Sequence, residues 1–215
     1  LLDMSEKVFG VGMHRTGTSS MTSALQILGY LTSHFPAVLW GDRSHSVLFE
    51  NDAFFDLPIP IIYQELDERF PGSKFILTIR DEDDWLQSCE YLFSEKREEF
   101  DNSQRIHEMH HALYGQNHFD PDIFRAAFRR HNEEVREYFS DRQSDLLTID
   151  IAQKDKWGDL CSFLDADRPQ AQFPHRNNGS VGHSRSVITR MLQSARVCAG
   201  GIARRYQDYI PFYSR

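Results

Sequence analysis

Helical stretches alternating with short apolar runs predict an α/β domain built on a central parallel sheet flanked by helices. Three observations carry that prediction. Residues 7–13, 74–80 and 145–151 are β-type apolar runs of strand length. The chain between them shows apolar spacings of three and four, so the strands are joined by helical crossovers and pair in parallel. The 215 residues, 40% of them hydrophobic and 13% aromatic, suffice for one core without disulfide or metal staples.

The opening run Lys7-Val8-Phe9-Gly10-Val11-Gly12-Met13 reads as a buried strand, broken only by glycine. From Ser20 to Gly29 the spacing of Met21, Leu25 and Leu28 puts all three on one helical face, and Gly29 supplies the stop. Residues 30–58 mix the turn signals Gly41-Asp42-Arg43-Ser44 with aromatic patches and read as loop with short helical pieces. Ile62, Leu66 and Phe70 predict a helix over 59–70, which Pro71-Gly72-Ser73 ends before the clearest strand, 74–80.

The acids Asp81 to Asp84 suit a helix start, where carboxylates meet orphan amides and the positive end of the dipole. That helix continues through Trp85, Leu86, Cys89, Leu92 and Phe93. Further helices are expected over 103–114 and 121–139, then a strand over 145–151 and a helix over 156–164. His107, His110 and His111 share a helical face, but Glu108 and the polar surroundings point to a solvated surface rather than a metal.

Residues 183–215 differ in charge from the rest. They carry six arginines and one aspartate, +5, against −13 for residues 1–182. Val187, Ile188, Met191, Leu192 and Ala195 form an apolar helical stripe, expected to dock on the acidic body; a helix for a partner or a membrane surface is the alternative. The net charge of −8 argues against a nucleic-acid binder held by a general basic surface. Cys89, Cys161 and Cys198 fit neither a disulfide framework nor a zinc motif, which favours a reducing, cytoplasmic setting. No apolar run reaches the roughly eighteen residues of a membrane span.

Chemistry concentrates in Gly12-Met13-His14-Arg15-Thr16-Gly17-Thr18-Ser19-Ser20, where a buried strand turns into a helix. Successive backbone amides and the helix dipole can there converge on one anion. The glycine spacing fits the nucleotide loop G-x-x-x-x-G-K-[ST], but Thr18 stands where that loop needs lysine. The cation has moved inside the loop, to Arg15. A glycine turn with an ordinary cap at Thr18 or Ser19 is the competing reading.

Arg15-Thr16-Gly17-Thr18-Ser19 after a strand resembles the 5′-phosphosulfate loop of sulfotransferases that use 3′-phosphoadenosine 5′-phosphosulfate (PAPS). Arg80, at the end of strand 74–80, and Ser88, roughly 9 Å along the next helix, resemble the pair that holds the donor's 3′-phosphate. A guanidinium fork and a hydroxyl suit one phosphate, although an ion pair of Arg80 with residues 81–84 is the alternative. Trp157, Leu160, Cys161, Phe163, Leu164 and Phe173-Pro174-His175 resemble the closing helix and loop of a compact branch of that family. Two positions depart from the pattern: His14 stands where proline is common, and Ser20 where many members carry a tryptophan that stacks on adenine.

The resemblance implies a P-loop-like three-layer α/β/α fold over residues 1–182 and transfer of a sulfuryl group from PAPS, with no metal, to a hydroxyl or amine. Arg15 would stabilise the leaving oxygen. Backbone amides of Thr16, Gly17, Thr18, Ser19 and Ser20 would hold the 5′-phosphate, with Thr18 and Ser19 hydroxyls as further donors. Asp56, among Phe54, Phe55 and Leu57, is the first choice of base, since apolar neighbours favour proton uptake; a cap for the helix at 59–70 is the competing role. His34, His45 and Glu65 are reserves. Aromatic residues in 31–58 and 94–120 suggest an apolar or aromatic small acceptor. A homodimer is left open, and a magnesium-dependent phosphotransferase or a noncatalytic nucleotide-binding scaffold are the alternative functions.

Overall fold

In a computed structural model the described residues are 6–94 and 104–175. They belong to the first of two units, Leu1–Asn178; the second, Gly179–Arg215, and with it the expected docked tail, lies outside the described residues. In chain order the elements are β1 (Val8–Gly10), α1 (Thr18–Ile27), β2 (Thr32–His34), α2 (Val38–Gly41), α3 (Val47–Glu50), β3 (Ala53–Phe55), α4 (Ile59–Arg69) and β4 (Lys74–Ile79). Then follow α5 (Glu82–Leu92), α6 (Gln104–Tyr114), α7 (Pro121–Tyr138), β5 (Leu146–Asp150) and α8 (Lys156–Phe163).

The strands form one sheet in the order β2-β3-β1-β4-β5, every neighbouring pair parallel. This is the expected α/β architecture. The opening strand is therefore central, pairing Val8 with Ala53 on one side and with Lys74 on the other.

Strand alternation sorts the core onto the two faces. Phe9, Phe54, Phe75 and Leu77 join Ile62 and Leu66 of α4 and Val135 of α7. Val8, Ala53, Phe55 and Ile76 join Met21 and Leu25 of α1 and Trp157 and Leu160 of α8. Successive strand residues thus serve opposite layers, which is the period-two rule of a sheet covered on both sides. A third cluster gathers Met13, Leu57, Trp85, Cys89, Met109, Tyr114, Phe124 and Phe128 from the first loop, the turn after β3, α5, α6 and α7.

Residues 30–58 need correction. They hold two short helices, as expected, but also strands β2 and β3, so the sheet has five strands where the sequence displays three. Thr32-Ser33-His34 is a polar edge strand with no apolar alternation, and Ala53-Phe54-Phe55 is too short to show any; only pairing with neighbours defines them. Helix α1 starts at Thr18, two residues before the expected Ser20, and the first strand covers only Val8–Gly10 of the run 7–13.

Helix α5 begins as its acids imply: Asp81 is the cap and accepts from the amides of Asp83 and Asp84 at 3.0 Å each. The solvated histidine face is wrong for one residue, because His110 is buried against Phe93 while His111 is exposed. Among the described residues no cluster of His, Cys, Asp and Glu could hold a metal, and no helix is long and apolar enough to cross a membrane.

Candidate anion-binding site

The loop leaving β1 is held by its neighbours on every side. The Val11 amide donates to Ile76 O at 2.9 Å, and His131 Nε2 of α7 bonds the Val11 carbonyl at 2.7 Å. The Trp85 indole of α5 donates to the His14 carbonyl at 3.0 Å. Thr16 is fully buried, its hydroxyl donating to Met13 O and meeting Thr78 Oγ1, both at 2.6 Å. Its side chain therefore shapes the loop instead of facing a ligand.

Two glycines are required by this packing. A Cβ at Gly12 would lie 2.1 Å from Thr78 Oγ1 and 2.5 Å from the Thr78 carbonyl, so β4 approaches as close as backbone permits. Gly17 combines φ +94° with a Cβ position 1.9 Å from Ile151 Cδ1. Gly17 is also the helix cap, with no side-chain cap bond, so the competing reading of a cap by the Thr18 or Ser19 hydroxyl fails. The amides of Ser20 and Met21 both donate to Gly17 O at 3.0 Å. Those of Gly17, Thr18 and Ser19 come before the first intrahelical bonds, which is where a helix start presents donors to an anion. Thr16 and Ser20, both buried and with their amides already engaged, by Met13 O and Gly17 O, are the weakest of the expected donor-binding residues.

Arg15, Arg80 and Ser88 are brought together. Arg15 Nε donates to Ser88 Oγ at 2.9 Å, and Arg80 donates to the Arg15 carbonyl at 3.3 Å. The alternative expected for Arg80 is also present, since its guanidinium lies 3.9 Å from Asp84 Oδ2. Asp84 is well exposed, so water screens that pair.

Asp56 comes to the same loop from the end of β3. Its Oδ1 accepts from the Leu57 amide at 2.8 Å, and its Oδ2 accepts from the Thr18 hydroxyl at 3.2 Å and lies 3.3 Å from His34 Nε2. The competing role as side-chain cap of α4 is not what is observed, because that cap is Pro58 and carries no side-chain bond. His34, at the end of β2, also lies 3.2 Å from Thr18 Oγ1 and 3.3 Å from Ser19 Oγ. The other two reserves do other work: Glu65 pairs with Arg43 at 3.0 Å, and His45 Nδ1 accepts from the Val47 amide.

Backbone strain gathers here. Arg15, Phe35, Asp56 and Asp165 are the non-glycine residues with positive φ among the described residues; the first lies in the loop after β1, and the next two directly follow β2 and β3. A left-handed side-chain-bearing residue costs roughly 1–2 kcal/mol, and such costs concentrate where geometry serves function.

His14 is a member of the site that the sequence marks only as a departure from proline. Its ring is buried beside Phe93, His110 and Tyr114, with the Tyr114 hydroxyl hydrogen-bonded to Nε2 and with Nδ1 lacking any partner. Burial lowers its pKa to about 4, the Asp56 charge opposing and Arg15 assisting. Burial likewise lowers His110 to about 3 and pushes Tyr114 well above the usual phenol range. This buried cluster is therefore uncharged at neutral pH. The inward spacing of Phe124, Phe128, His131 and Val135 on α7 was a signal in the sequence that could have identified His131. Nothing local marks Trp85 or Tyr114 as loop supports.

The family profile described as "Sulfotransferase domain" matches residues 7–51 and 41–181. A relative from Aspergillus versicolor, "Ava biosynthesis cluster protein M", is 25% identical over 229 aligned positions, covering 84% of this chain and 85% of the relative.

Proposed function

Because this chain belongs to the sulfotransferase-domain family, sulfuryl transfer is its general chemistry, and we propose that its donor is PAPS and its acceptor a small molecule with a hydroxyl or amine. The observation that carries this reading is the meeting of Arg15, Ser88 and Arg80 at the mouth of a loop rich in amide donors. The loop supports it independently: close packing of Gly12 on Thr78 and of Gly17 on Ile151 fixes its backbone, and the amides of Gly17 to Ser19 head a helix.

In this reading the loop amides and the Thr18 and Ser19 hydroxyls bind the 5′-phosphate, and Arg80 with Ser88 binds the 3′-phosphate. Arg15 stabilises charge growing on the bridging oxygen as the S–O bond to that phosphate breaks. Asp56 takes the acceptor's proton as its oxygen or nitrogen bonds sulfur, and adenosine 3′,5′-bisphosphate leaves. Alignment of the two reactants supplies the rest. The partly buried Phe35 and Trp40, packed on the uncharged cluster that holds Tyr114, favour an uncharged, apolar or aromatic acceptor.

Calorimetry tests the donor. Adenosine 3′,5′-bisphosphate is expected to bind without magnesium and better than ATP, and Arg80→Ala to weaken it by at least tenfold, the scale of a charge-assisted bond. Equal affinity for adenosine 5′-monophosphate would remove the 3′-phosphate assignment. Binding of ATP that requires magnesium would favour the phosphotransferase alternative.

A further inference from the structure

The hydroxyl of Thr18 has one hydrogen to donate and two claimants. At 3.2 Å it serves Asp56 Oδ2, yet it stands on the first residue of α1, among the amides that face an incoming anion. A hydroxyl that turns to the anion abandons the carboxylate. Asp56 is only 15% exposed at its side chain, so a deserted Oδ2 is poorly served by water and leaves a negative charge beside the bound phosphate.

His34 is placed to prevent this. Its Nε2 lies 3.3 Å from the same Oδ2 and 3.2 Å from Thr18 Oγ1, so it touches both parties to the exchange. With hydrogen on Nε2 it is a second donor to the carboxylate. The backbone fixes the meeting, because β2 pairs with β3 through His34 opposite Phe55, one residue before Asp56. The next residue, Phe35, adopts φ +57° and donates its amide to Phe55 O at 2.8 Å. A strained turn locked to β3 holds the ring where it is.

We propose that His34 is a positioning residue of the donor site: it takes over Asp56 when the Thr18 hydroxyl turns to the 5′-phosphate. The inference rests on the PAPS reading and assigns His34 a part in donor binding, in place of the base role for which it was a reserve. Asp56 keeps its orientation throughout, with Leu57 N on Oδ1 and His34 on Oδ2.

The test is calorimetry with two probes, adenosine 3′,5′-bisphosphate and adenosine 3′-monophosphate, which lacks the 5′-phosphate. His34→Ala is expected to weaken the bisphosphate about five- to tenfold, the worth of one net hydrogen bond, and to leave the monophosphate within about twofold. His34→Gln, which offers an N–H at similar reach, restores most of the loss. Thr18→Val weakens the bisphosphate, and adding His34→Ala to it causes no further loss, because no hydroxyl is left to release. His34→Val, suited to a strand, replaces the alanine variant if that fails to fold.

An unchanged bisphosphate affinity in His34→Ala, an equal loss for both probes, or additive losses in the double variant would each overturn the proposal while leaving the donor reading intact. A wild-type chain that binds neither probe overturns the donor reading, and this proposal with it.

Discussion

Arg15 and Asp56, the two residues assigned to the chemistry, share a left-handed backbone that neither side chain prefers. Replacing Asp56 with Asn keeps its shape and its acceptor for the Leu57 amide while removing the base. Turnover with a true acceptor is therefore expected to fall by at least a hundredfold, with adenosine 3′,5′-bisphosphate still bound; undiminished turnover would put the base elsewhere. His14 gives a second prediction at this scale. Its folded-state pKa, about 4, lies below the ordinary 6.5, so between those values the unfolded chain binds a proton that the folded chain refuses. Stability is then unaffected by this group above pH 6.5 and falls as pH drops toward 4, by about 3 kcal/mol at 1.36 kcal/mol per unit. His110 acts in the same direction toward about 3. Urea midpoints between pH 7 and 4.5 check this: His14→Phe flattens the acid slope, and an unchanged slope in that variant would dismiss the assignment.

At the scale of elements, the join between β1 and α1 depends on Gly17. Alanine there meets Ile151 and must hold φ +94°, so Gly17→Ala is expected to cost about 1–3 kcal/mol. Adding Ile151→Ala relieves the clash but not the backbone, and so recovers only part of the lost melting temperature; full recovery would show that packing alone demands the glycine. The helices were legible in the sequence because α4, α5 and α7 bury one face each, at spacings of three and four, and because the acids from Asp81 stand at the start of α5. Strands β2 and β3 were not, since three residues carry no periodicity and their pairing comes from residues distant in the chain. The same limit hid His110: polarity of its neighbours says nothing about the helix that covers it.

For the molecule as a whole, one arrangement explains how the loop, Arg80 and Asp56, which the family resemblance assigned to one site, come together. In a parallel sheet every strand ends on the same side, so residues after β1, β2, β3 and β4 gather at one edge whatever their distance in sequence. Local patterns named the loop, while the contacts of His34 and His14 required the strand order. The helices packed around that edge supply the rest, His131 from α7 and Trp85 from α5 gripping the two carbonyls at Val11 and His14. The mould for the proposed donor is thus cast when the chain folds, before any cargo arrives. Ordering this segment is part of folding and is not charged against affinity, so a visiting molecule enters a finished shape, and weakening either grip would slacken the mould without touching a single group that meets the visitor.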